Sequence, residues 1–228
     1  MFKWLKKSSD TENISIEENT DIFLQDFEEL IKTSDTLTTK KFIKSLADSV
    51  QGELMTKCAY NDRNYSEYFK NIKNSFLVDT LCEEDNKYNA KVNVAETPLI
   101  ACVWNHTRMI DALKNINMQK GNLFDGIKNS NNIRAYQIKF LGLVIVRNGN
   151  HSVNSAIVHG EGEIIVDTII DITPALNKYK FNGKEYREIE TNKKVNSPFM
   201  KNNSEPFIYT LGLMFEMTRI LKKYGYQI

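Results

Sequence analysis

The sequence predicts an α+β (or α/β) fold: a small mixed sheet covered by helices, with a helical N-terminal extension. Three observations predict it. Residues 1–85 carry apolar positions at helical spacing. From about residue 90, short β-branched runs alternate with helical patterns, as expected for one sheet with helices packed on it. A chain of 228 residues and 26.4 kDa is also long enough to bury about 70% of the surface its unfolded form exposes. The sequence therefore divides into a helical region, 1–85, and an α+β core with a long C-terminal helix, 90–228.

The helices come first. Ser15-Ile16-Glu17-Glu18 reads as a capping box, and Ile22, Phe23, Phe27, Leu30 and Ile31 behind it share a helical face. A second helix is expected over Thr38 to Val50, and a third from Asn64-Tyr65-Ser66-Glu67 onward. The polar run Glu83 to Lys87 ends that pattern and marks the boundary. Beyond it, Pro98 to Trp104 is a buried-strand signal, and Asn105 caps a helix with Met109, Ile110, Leu113 and Ile116 on its stripe. Gly121 to Asn132 reads as loop, Leu141 to Val146 as strand, Val153 to Val158 as a short helix closed by Gly160, and Gly162 to Ile170 as a further strand. Thr173-Pro174 is a cap followed by a first helical residue. Asn182-Gly183 is a hairpin turn, and Ser204-Glu205-Pro206 opens a final helix with Leu211, Met214, Phe215, Thr218 and Leu221 inward and Gly225 as its stop.

Composition narrows the function classes. Thirty Lys+Arg against 29 Asp+Glu leave a formal charge of +1. Duplex DNA binding, which draws on a basic face, is not favoured by that balance. Roughly one residue in nine is asparagine, which lowers the weight any single Asn carries. The lysines around Phe2, Trp4 and Leu5 are not followed by the apolar stretch of a secretion signal, and no window approaches the ~18 apolar residues of a membrane span. Cys58, Cys82 and Cys102 are an odd, widely spaced set without a CxxC, so a zinc site is not expected and reduced thiols are. The expected location is cytoplasmic, with no membrane span.

The segment that carries chemistry is Leu143 to Gly160, LVIVRNGNHSVNSAIVHG: strand, then Gly149-Asn150-His151-Ser152, then helix. Glycine at such a turn admits a ligand close to the backbone. The first amides of the helix lack intrahelical partners and, with the helix dipole, favour an anion. His151 titrates near neutrality and is the candidate acid, base or phosphate donor. Ser152 is a helix cap or a hydroxyl donor to phosphate. Asn and Ser are also ordinary capping residues, and that plainer reading stands beside the functional one.

The same stretch resembles the signature of the ParB/sulfiredoxin-like superfamily, in which a strand runs into a Gly-x-His/Arg-Arg turn at a helix start. Gly149 to Ser152, then Ala156, Gly160 and Ile164-Ile165-Val166, follow that layout. The resemblance implies a ParB/sulfiredoxin-like core whose turn holds nucleotide phosphates, with nuclease activity in some members. Two departures qualify it. Ser152 stands where those proteins have the phosphate-gripping arginine, and a hydroxyl cannot make the bidentate contacts of a guanidinium. Asn150 stands where sulfiredoxin has its reactive cysteine. Residues 90 to 228 also resemble an uncharacterised bacterial family with a Pro-apolar-Trp-Asn segment followed by Arg (Pro98 to Arg108), the Gly-Asn-His-Ser turn, and a Phe-Glu then Arg pattern (Phe215, Glu216, Arg219). A phage-defence, toxin–antitoxin or mobile-element setting fits that resemblance.

The candidate site is accordingly His151 and Glu161 as catalytic residues, with Gly149, Asn150, Ser152, Arg108 and Arg147 binding phosphate. Arg108, Arg134 or Arg147 would supply the missing charge. Asn105 to Arg108 forms a second strand-to-helix turn, which would share an edge with the first if the two strands run parallel. Glu161 and Glu163 could hold Mg²⁺ together with a nucleotide, although a solvated turn is the plainer reading. Glu216 could orient His151 if the last helix packs near the turn. Two functions remain open: a nucleotide- or phosphate-binding protein, with nuclease or phosphotransfer activity as one version, or a non-catalytic protein-binding or structural module using the N-terminal helices to meet a protein partner.

Overall fold

The computed structural model describes residues 15–60, 65–77, 81–128, 131–195 and 206–226. Its architecture is α+β. Ser15 accepts the Glu18 amide at 3.1 Å and starts α1 (Ile16–Thr33), with Phe27 and Ile31 buried. The next helix, α2 (Thr36–Ala59), outruns the expected Thr38 to Val50 at both ends. Asp35 caps it through the Thr38 amide at 2.7 Å, and Gln51, Leu54 and Cys58 carry its buried stripe onward. α3 (Tyr65–Ser75) follows. The cap expected at Asn64 lies outside the described residues, as do the N-terminal Phe2, Trp4 and Leu5 and the Ser204-Glu205 pair.

The main sheet has five strands: β1 (Glu83–Asp85), β3 (Leu99–Ala101), β4 (Arg134–Ile138), β5 (Val144–Asn148) and β7 (Thr168–Asp171), in the spatial order β1-β7-β4-β5-β3. β3 and β5 are parallel, as are β4 and β7, while β4–β5 and β1–β7 are antiparallel. A two-stranded sheet joins β2 (Ala90–Asn93) to β6 (Glu163–Val166), and a hairpin joins β8 (Tyr179–Phe181) to β9 (Tyr186–Glu188) around Asn182-Gly183 as predicted.

Three sequence expectations are corrected here. The polar run at 83–87 contains β1, an edge strand held by its backbone, whose exposed side chains need no apolar pattern. The expected strand over Gly162 to Ile170 is two strands in two sheets, divided at Asp167. Thr173 is the first residue of α6 (Thr173–Lys178) rather than its cap, and Asp171 accepts its amide at 2.8 Å.

Alternation along the strands splits the core into two layers, since successive side chains point to opposite faces. Ile100, Cys102, Tyr136, Ile138 and Ile145 face one cluster, shared with α1, α2, α3, α6 and α7 (Pro206–Lys223). Leu99, Ala101, Ala135, Val144 and Val146 face the other, against Val153 and Ala156 of α5 (Asn150–His159) and Ile164 and Val166 of β6. Coverage on both faces explains why β5 reads as a continuous apolar run. α7 is buried nearly all round, the five inward residues read from the sequence included. α4 (His106–Asn115) packs on the end of α2 through Met109, Val103 and Cys58 and lies beside α5.

Candidate functional site

β3 and β5 are adjacent and parallel, so the turns that follow them emerge at the same sheet edge. One turn feeds α4 and the other feeds α5. This is the crevice outside the carboxyl ends of parallel strands where open α/β sheets take ligands.

Each turn is fixed locally. Asn105 caps α4 by accepting the Arg108 amide at 2.8 Å. Gly149 is the N-cap of α5, with φ +83 and no side-chain cap hydrogen bond. A Cβ there would lie 2.9 Å from Ile133 Cγ1 and 3.2 Å from the Asn132 carbonyl oxygen, so both the backbone conformation and the space require glycine. Ser152 is thus not the cap that its residue type suggests, and the N-cap residue of α5 makes no side-chain cap hydrogen bond.

The rest of α5 is anchored from below. The buried Asn150 accepts the Cys102 amide at 2.9 Å, at the end of β3. Asn154 accepts from Gln51 Nε2 at 2.7 Å, and the same amide reaches the Ala101 carbonyl at 3.0 Å while its oxygen accepts the Ala101 N–H at 2.7 Å. Gln51 of α2 therefore pairs with the free edge of β3 as a neighbouring strand would. Ser155 bonds the carbonyls of Ala112 and Ile116, and His159 meets Leu113 O, which lock α5 against α4.

Above these anchors lies an open cleft of about 670 Å³. Gly149, Asn150, His151 and Ser152 line it together with Arg147 and Arg108. Arg147 is stacked over the Tyr136 ring at 4.7 Å, and Arg108 over the Trp104 ring at 5.3 Å. His151 meets Trp104 edge to face at 5.2 Å and accepts the Asn105 backbone N–H at Nε2, 3.2 Å. With Nε2 taken as an acceptor, the neutral ring carries its proton on Nδ1. Burial and then the Arg108 cation hold His151 below the ordinary imidazole range.

Six of the seven residues singled out from the sequence therefore meet in one cleft. Glu161 does not. It follows the last turn of α5, ten residues beyond His151, which at 1.5 Å per residue is roughly 15 Å away. Its neighbour Glu163 pairs with Lys91 at 2.6 Å. Arg134 pairs with Asp167 at 3.7 Å and is not a cleft residue. Glu216 accepts the Phe181 amide at 2.7 Å and binds Arg219 at 2.8 Å, and Arg219 in turn holds the carbonyls of Leu176 and Tyr179. That network ties α6 and the hairpin to α7 and does not orient His151. Cys102 is buried and its thiol is pushed up to about 12, first by burial and then by Cys58, so it is no nucleophile at neutral pH.

The sequence reading missed Trp104 and Asp111, both of which line the cleft. The signals were present: Trp104 directly precedes the α4 cap, and Asp111 lies three residues beyond Arg108, on the same helical face.

A family model, described as a family of unknown function (DUF6710), matches residues 5–228. The chain belongs to DUF6710. The DUF6710 match spans the helical N-terminal third as well as the sheet, so both belong to what the family shares. No curated protein and no solved structure matches the chain. No helix among the described residues is long and apolar enough to cross a membrane.

Proposed function

We propose that this protein binds a phosphate-bearing small molecule, a nucleotide being the class closest to its chemistry, at the N-terminus of α5. The observation that carries the reading is that two arginines, Arg108 and Arg147, line the same cleft as the glycine-capped start of α5. A helix N-terminus favours an anion, and charge-assisted contacts from arginine add geometric selectivity. In this reading the two arginines take the place of the one that Ser152 replaces in the ParB/sulfiredoxin-like pattern.

Binding is better supported than cleavage. The Asn105 amide occupies His151 Nε2, so the neutral ring offers an N–H donor rather than a base on that side. Glu161 lies at the far end of α5, away from any shared proton transfer. His151 is accordingly a third phosphate donor, through Nδ1–H.

Calorimetric titration with pyrophosphate tests the proposal. Saturable binding by the wild type should weaken about tenfold in Arg108→Ala and in Arg147→Ala, as expected for a lost hydrogen bond to a charged group. Equal affinity in both variants, or none in the wild type, refutes it.

A further inference from the structure

We propose that the chain's own N-terminal segment, residues 2–7, docks in the groove between α1 and α2, with Phe2, Trp4 and Leu5 on its apolar walls and a lysine paired with Asp26. The groove has a volume of about 490 Å³ and shares no lining residue with the arginine cleft. Ile22, Phe23, Phe27 and Leu30 line it from α1, and Phe42 lines it from α2. Phe42 lies against Phe23 at 6.1 Å and Phe27 at 5.7 Å, so aromatic packing between the two helices shapes the wall. Of the five apolar residues only Phe27 is buried; Ile22 is 40% exposed, and Phe23, Leu30 and Phe42 are half-buried. A contiguous apolar surface of this kind is a site for another apolar segment to cover.

Tethering favours the segment as occupant. α1 begins at Ile16, and the groove starts one turn along it, at Asn19. Its far end, Leu30, lies roughly 21 Å from Ile16 along the helix axis, at 1.5 Å per residue. The chain from Leu5 to Ser15 is long enough to span about 33 Å, so the segment reaches the whole groove. Attachment also makes docking intramolecular, at an effective concentration of about a millimolar, which suits a small patch.

Charge points the same way. α1 carries six acidic residues and one lysine, whereas residues 1–9 carry Lys3, Lys6 and Lys7 and no acid. Asp26 lines the groove, is half-buried, and has no cationic partner among the described residues. A carboxylate set among apolar side chains suits lysine, whose stem covers apolar surface while its ammonium group reaches the charge. Such a pair fixes the orientation of the segment, and the apolar contacts supply most of the affinity.

Methyl NMR on the full chain tests the proposal, at a concentration where sedimentation gives a monomer. The Trp4 indole signals are identified by their loss in Trp4→Ala. The expected result is nuclear Overhauser contact from the Trp4 indole to the methyl groups of Ile22 and Leu30, and a shift of both methyls in Trp4→Ala. Asp26→Lys should weaken those cross-peaks at least twofold, and Asp26→Asn should weaken them less. Unchanged amide shifts in β4 and β5 would show that the Asp26 variants keep the fold. Absent cross-peaks, with the Ile22 and Leu30 methyls unmoved in Trp4→Ala, overturn the proposal. Cross-peaks that keep full strength in Asp26→Lys overturn the pairing with Asp26. Cross-peaks that arise only between differently labelled copies, and grow with protein concentration, overturn it in favour of a second copy of the chain.

Discussion

The backbone N–H of Asn105 donates to His151 Nε2 at 3.2 Å, joining the cap of one helix to the first turn of another. The contact crosses between two turns that follow parallel neighbouring strands, and it fixes the imidazole against Trp104. Through it the cleft acquires a neutral histidine with a defined donor.

The first prediction concerns pH. His151 is held below its ordinary value, so its folded pKa lies below the unfolded one near 6.5. A depressed pKa means that the unfolded chain takes up the proton first. The associated stability is complete above pH 6.5 and is lost as pH falls through the folded pKa. Proton NMR of the imidazole should therefore give a midpoint below 6.5, and urea unfolding should show the wild type losing stability relative to His151→Gln between pH 7 and pH 5. Bound phosphate should raise the midpoint, because a nearby anion favours the charged ring. A midpoint at or above 6.5 in the free protein would contradict this.

Gly149→Ala should destabilise the fold by about 1–3 kcal/mol, the range for a non-glycine residue forced into a left-handed conformation with a close contact. Chemical denaturation measures it. The same variant should lose anion binding, because shifting Ile133 or the Asn132 carbonyl re-aims the first turn of α5. An unchanged denaturation midpoint would show that the turn can relax without cost.

Gln51→Ala should cost about 3 kcal/mol. It takes away the side-chain partner of the buried Ala101 N–H and of Asn154 Oδ1, each with its own penalty, while the Ala101 carbonyl keeps the Val103 N–H at 3.0 Å. Gln51→Glu is a sharper probe, since a carboxylate can still accept from Ala101 but cannot donate to Asn154 or the Ala101 carbonyl. Amide exchange should then quicken at Ala101 in the alanine variant and far less in the glutamate one.

How legible these features are in the sequence depends on how local their causes are. The Asn105 cap, the hairpin at Asn182-Gly183, the stripe of α7 and the turn at Gly149 are set by residues within a few positions of one another, and the sequence reading found them. β4 was missed because Arg134-Ala-Tyr-Gln-Ile carries polar side chains that the fold accommodates singly: Arg134 meets Asp167, and Gln137 accepts from the Tyr88 hydroxyl at 3.1 Å. Gln51 could not be recognised, because the strand edge it satisfies lies 50 residues away. Glu161 falls outside the cleft lining because the ten residues that separate it from His151 form a whole helix in space.

The central claim is that the anion sits on the first turn of α5 between Arg108 and Arg147. Backbone amide chemical shifts during a pyrophosphate titration test it most directly. The account predicts saturable shifts at Asn150, His151 and Ser152 with a single dissociation constant, accompanied by the side-chain resonances of Arg108 and Arg147. Shifts confined to surface lysines such as Lys40, Lys41 and Lys44, with the amides of 150 to 152 unmoved, would contradict it.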